Sequence, residues 1–287
     1  MKKTLLLLLL AGSIPAMMCA QRTGRPPQGS AENKSMQSNI LGVERNYSIY
    51  LPKSYTTETE RQYPVLYLLH GLWGNSTDWV ERGHIQDVAN QLIDGEQATE
   101  MIIVMPDAGT EWNGYFNMEG WPYETYFFSE LIPYIENRYR VKTGRKYRAI
   151  AGLSMGGGGA TVYGQKYPEM FSSVYAISAL MTLGEGGGMP DEDPKMAELN
   201  RTVREYDAVQ FVAGSDGTTR DKLRTIRWFV DCGDDDFLLM ANLAFVREMH
   251  QARIPLQFRV RDGGHTWEYW HSSLYKILPF VSFGFMQ

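Results

Sequence analysis

Cysteine is nearly absent from this 287-residue chain: Cys19 and Cys232 are the only two. Two are too few for a disulfide framework or a zinc site built on thiolates. Positive charge is also scarce, with 28 Lys+Arg against 33 Asp+Glu and a formal net charge of −5. That balance excludes a generic binder of nucleic acid or anionic membrane, since both rely on clustered positive charge. No internal repeat is detectable, and no apolar run reaches the ~20 residues that span a bilayer. What is present is ordinary globular composition, 44% apolar and 21% charged, enough for one large core.

The amino terminus has a different logic. Lys2 and Lys3 precede the apolar run Leu5–Leu10, continued by Ala11 and Ile14 and closed by Ala16-Met17-Met18-Cys19-Ala20. This is the order of a secretory signal peptide over residues 1–20, cleaved after Ala20, and predicts an exported protein, periplasmic or secreted. The rival reading makes Cys19 a lipid-carrying terminus, against which stand the bulky Met17 and Met18. Residues 21–38, with Gly24, Pro26, Pro27 and Gly29, read as a flexible leader.

From residue 39 onward, short apolar runs alternate with segments of helical spacing. Strands are predicted at Val43–Leu51, Val65–Leu69, Met101–Met105, Arg148–Gly152, Ser173–Ile177, Ile226–Val230 and Leu256–Val260. Helical spacing fills His84–Ile93, Tyr123–Tyr139, Gly156–Tyr167, Phe237–Gln251 and Tyr269–Val281. Such alternation predicts an α/β domain over 39–287 with a mostly parallel sheet covered on both faces. Residues 181–221, rich in glycine, proline and charge, interrupt the rhythm as an insertion, read as a solvated irregular loop with a substrate lid as the rival. Aspartates cluster at Asp191, Asp193 and Asp234–Asp236, but without the spacing of a calcium loop. No metal and no cofactor is expected.

The most informative stretch is Ile150-Ala151-Gly152-Leu153-Ser154-Met155-Gly156-Gly157. A buried strand runs directly into Gly-x-Ser-x-Gly and then into a helix, the sharp turn that lifts a serine hydroxyl clear of a sheet. A serine needs a base, and the base needs a carboxylate to orient it. Of the downstream histidines, His250 and His271 lie in helical segments, whereas His265 follows the last strand in Gly263-Gly264-His265 and is the predicted base. The loop Asp231-Cys232-Gly233-Asp234-Asp235-Asp236 supplies the acid. Asp236, at the loop's end before the helix, is favoured, with Asp235 and Asp231 as alternatives. Two amides should hold the oxyanion: that of Met155, next to the nucleophile, and that of Leu72, where Gly71 lets the backbone turn. His70 beside them reads as structural.

With these residues placed, the chain resembles an α/β-hydrolase of the esterase D and feruloyl esterase group, carbohydrate esterase family 1. The likeness rests on Leu68-Leu69-His70-Gly71, Met105-Pro106-Asp107, Glu130-Leu131-Ile132-Pro133, Ala149–Gly157, Cys232–Asp236 and Gly263-Gly264-His265-Thr266-Trp267. It runs from about Val43 to Phe280. The resemblance implies Ser154 as nucleophile, Asp236 and His265 as its partners, and Leu72 and Met155 as oxyanion donors. It also implies a range of substrates, from feruloyl and acetyl xylan esters to siderophore trilactones and glutathione thioesters, the last disfavoured by the export signal. Trp112, Tyr115, Phe116 and Trp121 follow a strand end and are expected to stack on a sugar or phenolic acid, or else merely to pack their loop. Trp267 and Trp270 flank the base. The expectation is a secreted serine esterase acting on a polysaccharide-linked or small-molecule ester, decorating groups of xylan above all. A siderophore esterase and a non-catalytic carbohydrate-binding module on the same fold are the alternatives.

Overall fold

The computed structural model describes residues 28–109, 114–184 and 193–287; the predicted signal peptide lies outside them. Eight strands form one sheet: β1 (Ser30–Gln37), β2 (Glu44–Leu51), β3 (Val65–Leu69), β4 (Ile102–Pro106), β5 (Arg148–Leu153), β6 (Ser173–Ile177), β7 (Arg227–Gly233) and β8 (Leu256–Arg261). Their spatial order is β1-β2-β4-β3-β5-β6-β7-β8. The β1–β2 and β2–β4 pairs are antiparallel and every later pair is parallel.

Parallel strands need long crossovers, which here are helices: α1 (Ile85–Asp94), α2 (Ile132–Arg138), α3 (Met155–Lys166), α4 (Pro194–Glu205), α5 (Ala208–Ala213), α6 (Gly217–Leu223), α7 (Leu239–Gln251) and α8 (Trp267–Met286). Strand periodicity splits the core in two. Tyr67, Leu69, Ile150 and Val174 face α3 and α7, while Leu66, Leu68, Ala149 and Tyr175 face α1 and α8. All five residues of β3 are fully buried, as a strand covered on both faces requires.

Two expectations are corrected. Part of the predicted leader, Ser30–Gln37, is a regular strand paired residue for residue with β2. It carries no apolar alternation, because seven of its eight side chains are at least partly exposed; its register comes from backbone hydrogen bonds, from the side-chain pairs Asn33–Ser48 and Ser35–Glu44, and from its ends. Asn90 grips Gly29 through both its amide groups, and Glu130 accepts from Ser38 Oγ and from the amides of Asn39 and Ile40. The insertion is likewise not irregular where it is described. It folds as α4, α5 and α6, each entered through an aspartate, Asp193, Asp207 or Asp216, that accepts from amides of the first turn.

Candidate active site

Six parallel strands deliver the loops that follow them to one edge of the sheet, so the residues after β3, β5, β7 and β8 converge there. Ser154 follows β5 directly and has φ 54° and ψ −120°, an unfavourable conformation for a residue with a side chain. Three hydrogen bonds fix it: its amide donates to Ile177 O at 2.9 Å, and its carbonyl accepts from Gly158 at 3.0 Å and Leu180 at 2.9 Å. The hydroxyl is thereby held off the sheet with the amide of Met155, first residue of α3, beside it. An amide at that position has no acceptor within its own helix.

His265 reaches Ser154 from the loop after β8, with Nε2 3.0 Å from Ser154 Oγ. Its Nδ1 lies 2.9 and 3.1 Å from the two oxygens of Asp236. The loops carrying them are stitched together: the Asp235 amide donates to Gly263 O and the Gly263 amide to Asp234 Oδ1. The contact is so close that a Cβ on Gly233 would lie 1.9 Å from Gly263 O. Of the aspartates in this loop, Asp236 alone meets the histidine. Asp234 and Asp235 are exposed. Asp231 is fully buried and binds elsewhere, accepting from Tyr175 Oη at 2.9 Å, Tyr269 Oη at 2.6 Å and Arg259 Nε at 3.1 Å.

Burial on its own would raise the Asp236 pKa. Hydrogen bonds from His265, Ser178 and the Leu238 amide outweigh that and hold the carboxyl below its ordinary 3.8. The Leu238 amide is 2.8 Å away. Ser178, which sequence reasoning missed, is fully buried with φ 45° and also accepts from Trp270 Nε1 at 3.1 Å. The Trp270 ring in turn stands edge-on to His265, 4.8 Å between centroids.

The loop after β3 closes the other side. A Cβ on Gly71 would meet Leu153 Cδ1 at 2.7 Å and Ser154 Cβ at 3.4 Å, so only glycine lets Leu72 pass this close to the serine. His70 buttresses the turn from below. Its Nδ1 is 2.7 Å from Gly71 O and its Nε2 accepts the Ala108 amide at 2.9 Å. Only a neutral ring with the proton on Nδ1 satisfies both, and complete burial lowers its pKa in the same direction.

These groups open into a cavity of about 940 Å³. Its apolar wall comes largely from the insertion: Leu183 precedes α4, and Met196, Leu199 and Val203 recur along it at helical spacing. Trp73, Asp78, Arg82, Trp267 and Glu268 also line the cavity. Of the expected substrate-binding aromatics, Trp267 and Trp270 line the cavity and Trp112 lies outside the described residues. Tyr115 and Phe116 are corrected to core residues. Tyr115 is 1% exposed and donates to His70 O, and Phe116 stacks on Tyr206 at 4.6 Å; packing beneath the loop consumes the ring faces that a ligand would need. Trp121 is held away by Gly114 O and Arg45. His250 is exposed, and His271 Nδ1 lies 2.8 Å from Gly83 O. The missed wall of α4 had a legible signal, apolar residues at 196, 199 and 203 behind Asp193-Pro194.

The mostly parallel sheet and a serine raised at its edge define an α/β-hydrolase, and the class of the protein is carboxylic ester hydrolase. Residues 38–281 match the profile of the Esterase family, and the chain belongs to that family. A ferulic acid esterase of solved structure is 53% identical and superposes with a TM-score of 0.87, covering 90% of this chain and 99% of its own. The acetyl esterase of Caldicellulosiruptor saccharolyticus is 25% identical over 230 residues, 76% of this chain and 82% of that protein. The endo-1,4-beta-xylanase/feruloyl esterase of Xylanibacter ruminicola is 29% identical over 222 residues, 68% of this chain but 30% of that longer protein. Among the described residues no helix is long and apolar enough to cross a membrane.

Proposed function

We propose that the protein is an exported serine esterase that removes feruloyl groups from plant cell-wall polysaccharide, xylan in particular, through an acyl-enzyme. The observation that carries this reading is the unbroken chain Ser154–His265–Asp236, at 3.0 and 2.9 Å, with Ser154 and His265 lining the cavity. Ser154 Oγ attacks the ester carbonyl while His265 Nε2 takes its proton. The amides of Leu72 and Met155 hold the oxyanion, and Asp236 orients the ring and stabilises the imidazolium. His265 then protonates the departing alkoxide, and water repeats the sequence on the acyl-serine.

Cavity size argues for the aromatic acyl group. A volume of about 940 Å³ suits a drug-sized ligand and far exceeds an acetyl group, and the apolar α4 wall suits a phenyl ring. The 53% identity to a ferulic acid esterase supports the same choice. An acetyl substrate is the second reading, favoured by the acetyl esterase relative. Export is supported by the signal-like residues 1–20. The test is a panel of methyl ferulate, acetylated xylan and a catecholate trilactone ranked by kcat/KM, with Ser154→Ala alongside. Methyl ferulate should lead, and Ser154→Ala should abolish turnover while the far-UV spectrum stays unchanged; a trilactone in first place would overturn the substrate, and an active Ser154→Ala the mechanism.

A further inference from the structure

We infer that α4 does more than wall the cavity: its apolar face, Leu199 above all, clamps the turn that carries the Leu72 amide, so the insertion supports the chemical step for every ester whatever its acyl group. The inference rests on the esterase reading above, with Leu72 and Met155 as oxyanion donors, and deepens it by naming positioning residues.

The two donors are held unequally. The amide of Met155 opens α3, and the helix that follows fixes its direction. Leu72 has no helix behind it. It is the second residue of a tight turn closed by the Gly74 amide on Gly71 O at 3.1 Å, and His70 Nδ1 donates to the same oxygen at 2.7 Å. A peptide is a rigid plane, so these two bonds set one end of the plane that carries the Leu72 amide. The other end is the Leu72 Cα, whose side chain packs on the α4 cluster of Met196, Leu199 and Val203.

Those three side chains are only 3%, 7% and 5% exposed, so most of their surface is taken up by protein contacts, Leu72 and Leu180 among them. Both contacts lead to the reacting centre, because the Leu180 amide is one of the bonds that fix Ser154. Leu199 also comes near the second donor: a Cβ at Gly114 would lie 3.6 Å from Leu199 Cδ1 and 3.6 Å from Met155 Sδ. The helix is itself fastened to the main domain. Glu198 Oε1 accepts the Glu119 amide at 2.8 Å, and Tyr206, directly after α4, stacks on the buried Phe116 at 4.6 Å. A fastened helix pressing on a turn that lacks support of its own is a clamp.

Burst kinetics with p-nitrophenyl acetate separate the clamp from a passive wall. Once nitrophenolate has left, the acetyl-enzyme holds only an acetyl group, far smaller than the cavity, yet attack by water forms the same oxyanion. Leu199→Ala should slow that deacylation about tenfold, part of the roughly 10²–10³ that loss of a whole donor costs, and Leu199→Met should restore it. Leu72→Ala keeps the amide and loses the contact, so it should slow deacylation as well, and the double variant should be no slower than the slower single. Deacylation within about twofold of wild type in folded Leu199→Ala, or losses that multiply in the double variant, overturns the clamp and leaves α4 a wall. Should Leu199→Ala not fold, Leu199→Val takes its place in the same comparison. If wild type forms no acetyl-enzyme, the esterase reading falls instead, and hydrogen exchange decides the clamp: residues 70–74 should exchange faster in the Leu199 variant than in wild type, and equal rates refute it.

Discussion

Replacing the aspartates of the β7 loop one at a time separates a triad acid from its neighbours. In Asp236→Asn the carboxylate that accepts from His265 Nδ1, the Leu238 amide and Ser178 becomes an amide with one acceptor oxygen. Leu238 and Ser178 retain that oxygen, so the new NH₂ faces His265. The ring must then accept at Nδ1 and carry its proton on Nε2, 3.0 Å from Ser154 Oγ, where it cannot take the serine proton. Loss of the correct tautomer lowers kcat by about 10⁴ in serine proteases built this way, and a fall of about 10³–10⁴ is expected here with Tm nearly unchanged. Asp235→Asn, at an exposed position, should leave kcat within about twofold, since surface changes of this kind are energetically small. Asp231→Ala should do the opposite of Asp236→Asn. It strips Arg259 and two tyrosine hydroxyls of their buried acceptor and should cost about 3 kcal/mol in urea unfolding, at the low end for a broken buried pair because Arg259 is partly exposed, while the folded fraction still turns over ester. Stopped-flow hydrolysis of p-nitrophenyl acetate with parallel urea melts gives all three. If Asp236→Asn retained more than a tenth of wild-type kcat while Asp231→Ala lost it, the acid would be Asp231 and the reasoning refuted.

The depressed pKa of Asp236 has a pH signature. Its folded value lies below the ordinary 3.8, so its ionised form stabilises the native state fully above about pH 4, and that contribution is lost only as pH falls through the lower folded value; urea midpoints from pH 3 to 7 should show an acid-side drop that is smaller in Asp236→Asn. Gly233→Ala places a Cβ 1.9 Å from Gly263 O, forcing the two loops apart. Urea melts should show a loss of about 1–3 kcal/mol, the ordinary range for overpacking, accompanied by a fall in kcat as His265 leaves Asp236. Glu130→Ala removes the acceptor for Ser38, Asn39 and Ile40; hydrogen exchange should accelerate across 30–40 by about tenfold, one charged hydrogen bond's worth, and leave β5 unchanged. Burial pushes the Cys232 thiol up to about 12, so mass spectrometry should find its peptide unalkylated by iodoacetamide at pH 8 until urea is added.

Much of this molecule was legible because its elements follow local rules. The runs Val65–Leu69 and Ser173–Ile177 are strands at the predicted bounds, since a strand covered on both faces must be apolar throughout. Strand β1 was not legible, because an exposed edge strand pairs through its backbone and a few polar side chains, and those side chains carry no apolar alternation. The insertion misled for a related reason. Its aspartates read as solvated charge, whereas three of them cap helices, and α4 turns an apolar face into the cavity.

Sequence by itself determined which residue types stand at the strand ends: a serine between glycines after β5, a histidine after Gly263-Gly264, glycine at 71. Those follow from local backbone chemistry, a tight turn or a loop of small residues, and local chemistry is written in consecutive positions. Tertiary structure alone decided which of the aspartates 231–236 meets His265 and which aromatics face the cavity rather than the core. The direction of a side chain on a loop is set by what packs against it from distant segments, here Gly263 against Gly233 and Tyr206 against Phe116, and no stretch of neighbouring residues encodes that.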